Sequence, residues 1–196
     1  YTWKGKKYKM NKIVFLDRDG TVNVEVDYLH KIEDFKFESE ADKAIKIFND
    51  LGYKVIIVTN QSGIARGYYT EEDLEKLHKY MDEQLKILGA KVEKYYYCPH
   101  HPKGKIEKYA INCNCRKPEL GMFIDAIKEF DIDLENSIMV GDKISDLESA
   151  IRLGIKPVLV ETGHGKGEID KAYFKVEIHK NLYEFANNLK TKNILG

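Results

Sequence analysis

An α/β fold, with a mostly parallel sheet and helices on both faces, is the fold class that three observations on this 196-residue sequence predict. Short apolar runs alternate with longer stretches of helical periodicity, the order expected of repeated βα units. Glycines stand where the helical stretches should stop. Polar residues able to do chemistry gather at the C-terminal ends of the apolar runs, the edge where open α/β sheets form their ligand crevice.

The elements follow in chain order. Ile13 to Leu16 is the first strand, breaking at Asp17-Arg18-Asp19-Gly20-Thr21. A helical pattern over Glu40 to Leu51 is closed by Gly52, and a second strand over Val55 to Val58 ends in Thr59-Asn60. Thr70 before Glu71-Glu72-Asp73 predicts a capped helix over Glu71 to Leu88, with acids in its first turn where free amide groups favour them and Gly89 behind it. Strands are expected over Val92 to Tyr97, Ser137 to Val140 and Pro157 to Val160, with helices over Leu120 to Phe130 and Ser145 to Leu153, the last followed by Gly154. Tyr173 to His179 adds an edge strand and Leu182 to Leu189 a final helix.

This length suits one domain, expected over residues 10–196, with residues 1–9 as a leader or tag-like segment ahead of Met10. Lys and Arg total 32, as do Asp and Glu, so the net charge is zero and no broad footprint for nucleic acid exists. No apolar stretch is long enough to span a bilayer and no signal-peptide pattern is present, so a cytoplasmic enzyme without a membrane partner is expected. With no heptad or obvious apolar patch, a compact domain of this kind is expected to be a monomer.

Four segments can meet at one sheet edge. Asp17 and Asp19 put two carboxylates at a crevice mouth, and Gly20 allows a tight turn that Thr21 can tie in place. Thr59 and Asn60 can approach them as neutral donors to phosphate oxygens. Arg116 and Lys117 precede a helix start, which itself favours anions; Lys117 would neutralise a phosphoryl group, and the planar fork of Arg116 suits a second phosphate or a carboxylate. Asp142 ends another strand, and two carboxylates from separate strand ends make an oxygen site of the kind Mg²⁺ takes.

Asp17-Arg18-Asp19-Gly20-Thr21, Thr59-Asn60, Lys117 and Gly141-Asp142 with Asp146 resemble, in order, the motifs of the haloacid dehalogenase superfamily of phosphohydrolases. The resemblance implies a Rossmann-like core, Mg²⁺ dependence and a covalent aspartyl-phosphate. It implies Asp17 as nucleophile, Asp19 as general acid and base, and Thr59 and Lys117 as stabilisers of phosphoryl charge. Mg²⁺ would be held by Asp17, Asp142 and the main-chain carbonyl of Asp19, with Asp146 orienting Lys117 or a metal-bound water.

All three cysteines, Cys98, Cys113 and Cys115, fall in one short stretch, an odd clustered set that favours metal over disulfides. With His100 they offer four ligands, enough for a closed, structural zinc site in the loop 98–115; His101 is the rival histidine. Cys115 abuts Arg116-Lys117, so a clamped loop would fix both cations. This loop, with Asn60-Gln61-Ser62-Gly63-Ile64-Ala65-Arg66-Gly67 and Thr21-Val22-Asn23, resembles a narrower family without a cap domain, the heptose-bisphosphate phosphatases, and their relatives that cleave histidinol phosphate. The implied substrate is a heptose bisphosphate losing its C7 phosphate, with Arg116, Arg66 and Lys143 holding the phosphate that stays. Histidinol phosphate is the rival substrate, and a zinc-stabilised binding module the rival that is not an enzyme.

Overall fold

The structure is a computed structural model describing residues 10–195, so the leader expected over residues 1–9 lies outside the described residues. Strand β1 (Ile13–Leu16) leads through a 3-10 turn at Ile32–Asp34 to helix α1 (Ala41–Asp50) and then β2 (Lys54–Asn60). One helical turn, α2 (Gly63–Arg66), precedes the long α3 (Glu71–Ile87), and β3 (Lys94–Cys98) ends on the first cysteine. A loop with a 3-10 turn at Glu107–Tyr109 joins β3 to α4 (Gly121–Glu129). Next come β4 (Ile138–Gly141), α5 (Ile144–Arg152) and β5 (Lys156–Val160). Two 3-10 turns, Gly165–Gly167 and Ile169–Lys171, lead to β6 (Glu177–His179) and α6 (Leu182–Leu195).

The strands form one sheet in the order β3-β2-β1-β4-β5-β6, and every pairing is parallel. This is the doubly wound, Rossmann-like order, in which succession along the sheet reverses between β1 and β4. The crevice opens at that reversal, beyond the C-terminal ends of the two strands.

Alternation along each strand divides the core in two. Val14, Leu16, Val55 and Ile57 pack under α1 and α6, against Ala44, Ile45, Phe48 and Phe185. Ile13, Phe15, Ile56 and Val58 point the other way, to Met122 and Phe123 of α4 and Leu147 and Ala150 of α5. A strand covered on both faces must be apolar at every position, which is why Ile13 to Leu16 has no polar residue.

The cap expected on α3 is present. Asp73 N–H donates to Thr70 Oγ1 at 3.2 Å and Thr70 N–H to the Asp73 carboxylate at 3.0 Å, a reciprocal pair of the kind worth about 1 kcal/mol. Gly52, Gly89 and Gly154 follow α1, α3 and α5 with φ of +80°, +65° and +73°. The edge strand is shorter than expected, and the final helix runs six residues past Leu189 because its last turns continue with exposed residues. The single turn α2 escaped the sequence reading, four residues being too few to show a period. Among the described residues, no helix is long and apolar enough to cross a membrane.

Candidate active site

Asp17 is held by the sheet itself. Its N–H donates to Val140 O at 3.0 Å, extending the β1–β4 ladder one residue past the end of β1. The chain then turns, with the N–H groups of Thr21, Val22 and Asn23 all donating to Arg18 O at 3.3, 2.8 and 3.1 Å. Gly20 sits in this turn at φ +80°, and a Cβ there would lie 2.5 Å from Asp142 Oδ2. Both the turn and the close approach of the two loops therefore require glycine. Thr21 does not tie the turn as expected: its Oγ1 is buried without a hydrogen-bond partner among the described residues. The main chain does that work, helped by Thr162 Oγ1, which donates to Gly20 O at 2.6 Å.

Lys117 reaches the nucleophile position from a different loop. Its main-chain N–H donates to Asn60 Oδ1 at 3.0 Å, and Asn60 Nδ2 donates back to Lys117 O at 3.1 Å, so the end of β2 grips the lysine backbone. Asn60 was expected to donate to phosphate; the structure gives its amide this clamp on Lys117 instead. The ammonium, 3% exposed, donates to Asp17 Oδ1 at 2.7 Å, Asp146 Oδ1 at 2.8 Å and Val58 O at 2.7 Å. Burial opposes its charge, but Asp146 and Asp17 outweigh that and raise its pKa, so Lys117 stays an ammonium.

Asp17, Asp142 and Asp146 each offer an oxygen within 4.8 Å of the others. Burial and the nearby Asp17 push Asp142 up to about 6, and the same causes push Asp146 to about 7 despite Lys117. Asp142 Oδ2 accepts the His164 N–H at 2.8 Å, while its Oδ1 is buried with no partner among the described residues. Three crowded carboxylates, one with a free buried oxygen, form the hard-oxygen donor set that suits Mg²⁺.

Asp19 lines the same crevice but is held by a separate set of partners. Arg18, fully buried, donates to Asp19 Oδ1 through Nε at 3.2 Å and to both carboxylate oxygens through Nη2 at 2.9 and 3.0 Å. Asn23 Nδ2 adds a bond to Oδ1 at 3.0 Å and Gln61 Nε2 one to Oδ2 at 2.9 Å. Burial works against the carboxylate, yet the Arg18 charge and these donors hold its pKa below the ordinary value. Behind Arg18, His78 Nε2 lies 3.4 Å from Nη1 and must accept, since a guanidinium only donates. Burial and the Arg18 charge push His78 down to about 3, keeping it neutral.

The remaining expected residues divide. Thr59, Arg116 and Lys143 line the crevice with Asp17, Asp19 and Lys117. Arg116 Nη1 is buried without a partner among the described residues, and Lys143 Nζ lies 3.5 Å from Glu25 Oε2. Arg66 is not brought to the crevice; its Nη2 is 3.3 Å from His101 Nε2 and its guanidinium sits 5.9 Å from the Tyr28 ring centroid. Sequence reasoning gave no role to Gln61, Tyr69 or His164, which also line the crevice. For Gln61 the signal was available: in extended chain, residues two apart share a side, so Gln61 follows Thr59; Asn60 also lines the crevice while its amide clamps Lys117.

Next to Arg116, the Cys/His cluster closes on itself. The Sγ atoms of Cys98, Cys113 and Cys115 lie 3.1–3.5 Å apart, and His100 Nδ1 is 3.3 Å from Cys115 Sγ and 3.7 Å from Cys98 Sγ. His100, not His101, faces the thiols. Contact with Cys98 draws Cys115 down to about 5, favouring a thiolate there. Zinc–sulfur bonds of about 2.3 Å in a tetrahedron separate sulfurs by about 3.8 Å, so this spacing fits a tetrahedral ion with a small expansion.

A family model described as HAD-hydrolase-like matches residues 114–189. The chain is 47% identical to D-glycero-alpha-D-manno-heptose-1,7-bisphosphate 7-phosphatase of Photorhabdus laumondii, over 80% of this chain and 86% of that protein. It is 48% identical to the D-glycero-beta-D-manno-heptose-1,7-bisphosphate 7-phosphatase of Haemophilus influenzae, over 81% and 88%. Among solved structures, the D,D-heptose 1,7-bisphosphate phosphatase from B. bronchiseptica, complexed with magnesium and phosphate, matches with a TM-score of 0.84 at 31% identity, covering 92% of this chain and 99% of that one.

Proposed function

The chain belongs to the D-glycero-D-manno-heptose-1,7-bisphosphate 7-phosphatases of the haloacid dehalogenase superfamily, and we propose that it removes the C7 phosphate of a heptose 1,7-bisphosphate by way of an aspartyl-phosphate on Asp17. One observation carries the residue assignment: Lys117 Nζ, buried, lies 2.7 Å from Asp17 Oδ1, so a cation stands beside the oxygen that meets the phosphoryl group. In the first step the Asp17 oxygen bonds to phosphorus and the bond from phosphorus to the C7 oxygen breaks; Asp19, an ionised carboxylate in the free site, takes up a proton when the phosphate dianion binds beside it and passes that proton to the leaving oxygen. In the second, water attacks phosphorus, Asp19 takes its proton, and the bond to Asp17 breaks.

Mg²⁺ held by Asp17, Asp142 and the Asp19 carbonyl would lower the repulsion between carboxylate and phosphate. Thr59 and Lys117 stabilise phosphoryl charge, and Asp146, 2.8 Å from Lys117 Nζ, keeps that ammonium aimed. Arg116, with an unpaired buried N–H, and Lys143 hold the phosphate that remains on C1.

The Cys98, His100, Cys113 and Cys115 cluster, in this reading, holds a structural zinc ion. Four protein ligands leave no position for water, and the donor set of three sulfurs and one imidazole nitrogen is one that zinc prefers. Its task is to fix the loop that carries Arg116 and Lys117.

Phosphate release with Mg²⁺ from both heptose 1,7-bisphosphate anomers, histidinol phosphate and fructose 1,6-bisphosphate tests the reading. A heptose bisphosphate should show the highest kcat/KM. Faster turnover of histidinol phosphate than of either heptose anomer contradicts the substrate assignment.

A further inference from the structure

Among the described residues, Gln61 is the one side chain that hydrogen-bonds both the residue proposed to move protons and a residue proposed to bind the phosphoryl group. Its Nε2 donates to Asp19 Oδ2 at 2.9 Å and to Thr59 Oγ1 at 2.8 Å, using both amide hydrogens. Its Oε1 accepts from Tyr69 Oη at 2.5 Å and faces Arg18 Nη2 at 3.4 Å. A flipped amide would set NH₂ against the guanidinium and a carbonyl oxygen against the Asp19 carboxylate, so only one orientation is tolerable.

The parts that hold Gln61 are themselves built in. The Gln61 N–H donates to Cys98 O at 2.8 Å, fixing its backbone to the end of β3. Tyr69 folds back over the start of α2, where a Cβ on Gly63 would sit 2.1 Å from the ring, and His30 stacks on that ring with centroids 5.0 Å apart at 9°. Gly63 is needed for that close approach. Tyr69 is buried, and burial holds its phenol in the protonated form, so it donates.

We propose that Gln61, oriented by Tyr69, is a positioning residue that ties Asp19 and Thr59 into one unit. Because Thr59 Oγ1 accepts from Gln61, the threonine's own O–H proton is free to point at a phosphoryl oxygen. Because Asp19 Oδ2 accepts from the same amide, the carboxylate keeps one placement through both half-reactions. The inference rests on the phosphatase reading above.

Gln61→Glu keeps the shape and still accepts from Tyr69 and Arg18, but replaces both N–H donors with an oxygen. Loss of two such bonds should lower kcat about a hundredfold. Tyr69→Phe removes only the orienting hydroxyl and should lower kcat about tenfold with KM within about twofold. If Tyr69 acts through Gln61, Tyr69→Phe costs nothing further in a Gln61→Leu background, whereas a merely structural role multiplies through. Wild-type kcat in Gln61→Glu, or an undiminished Tyr69→Phe effect in Gln61→Leu, overturns the proposal. Asp17→Asn assayed beside them separates the two readings: its activity would sink the phosphatase mechanism, while an inactive Asp17→Asn with a fully active Gln61→Glu sinks only the positioning role.

Discussion

The strand-end crevice and the Cys/His loop are adjacent, joined at Cys115-Arg116, yet they are stabilised in opposite ways. In the crevice, the ends of β1 and β4 and the first turn of α5 bring three carboxylates together, and Lys117 already compensates Asp17 and Asp146 at 2.7 and 2.8 Å. In the loop, three free thiols and a histidine crowd one point with no protein cation among them. The first is a set of charges compensated within the protein at a sheet edge; the second is a local cluster whose donor set suits the metal proposed for it. The contrast separates the proposed roles: crevice side chains would act on the reacting phosphate, and the loop ligands through the position of Arg116.

That separation can be broken by paired substitutions. Asp17→Asn should cost at least about a thousandfold in kcat, since the attacking carboxylate is gone, while Tm moves little. If the loop holds the proposed zinc, its removal by chelation, with Mg²⁺ restored before assay, should instead lower Tm by about 4–8 °C, the change that a loss of about 2 kcal/mol gives in a chain of this size. Unchanged Tm and activity after chelation would remove the structural zinc from the account. At the junction, Arg116→Ala should raise KM for the bisphosphate about tenfold or more with kcat largely kept, because a charge-assisted bond to the retained phosphate is lost. A fall in kcat at constant KM would place Arg116 with the reaction centre instead.

The smallest effect lies behind the crevice. His78, held neutral with a pKa near 3 by burial and Arg18, takes up a proton on unfolding at any pH between about 3 and 6.5. Over that window the unfolded state binds more protons, so its contribution to stability is present above pH 6.5 and is lost as pH falls. His78→Gln should therefore flatten the fall in unfolding free energy between pH 6.5 and 4.5, by up to about 1.4 kcal/mol per pH unit. Parallel slopes for the two proteins would contradict a neutral buried His78.

Much of this was legible in the sequence because Asp17, Thr59 and Asp142 lie at or just past strand ends and Asp146 falls in the first turn of a helix. Asp17 and Asp142 follow buried runs, and the parallel order puts both at the same edge. Side-chain direction was not legible. Asn60, Arg66 and Thr21 carry suitable groups, but Asn60 clamps Lys117, Arg66 turns to His101, and the Thr21 hydroxyl meets no partner among the described residues. The choice between His100 and His101 was open for the same reason, since adjacent residues differ only in which way they face. Tyr69 was hidden differently: eight residues past Gln61, it returns only because α2 is a single turn and Gly63 leaves room for its ring.

The central claim is that Asp17 attacks phosphorus. Rapid acid quench of a single turnover with heptose 1,7-bisphosphate and Mg²⁺, followed by peptide mass spectrometry, tests it most directly. A phosphoryl adduct on Asp17 that forms before free phosphate and decays as phosphate appears is the result expected; an adduct on another residue would contradict the claim.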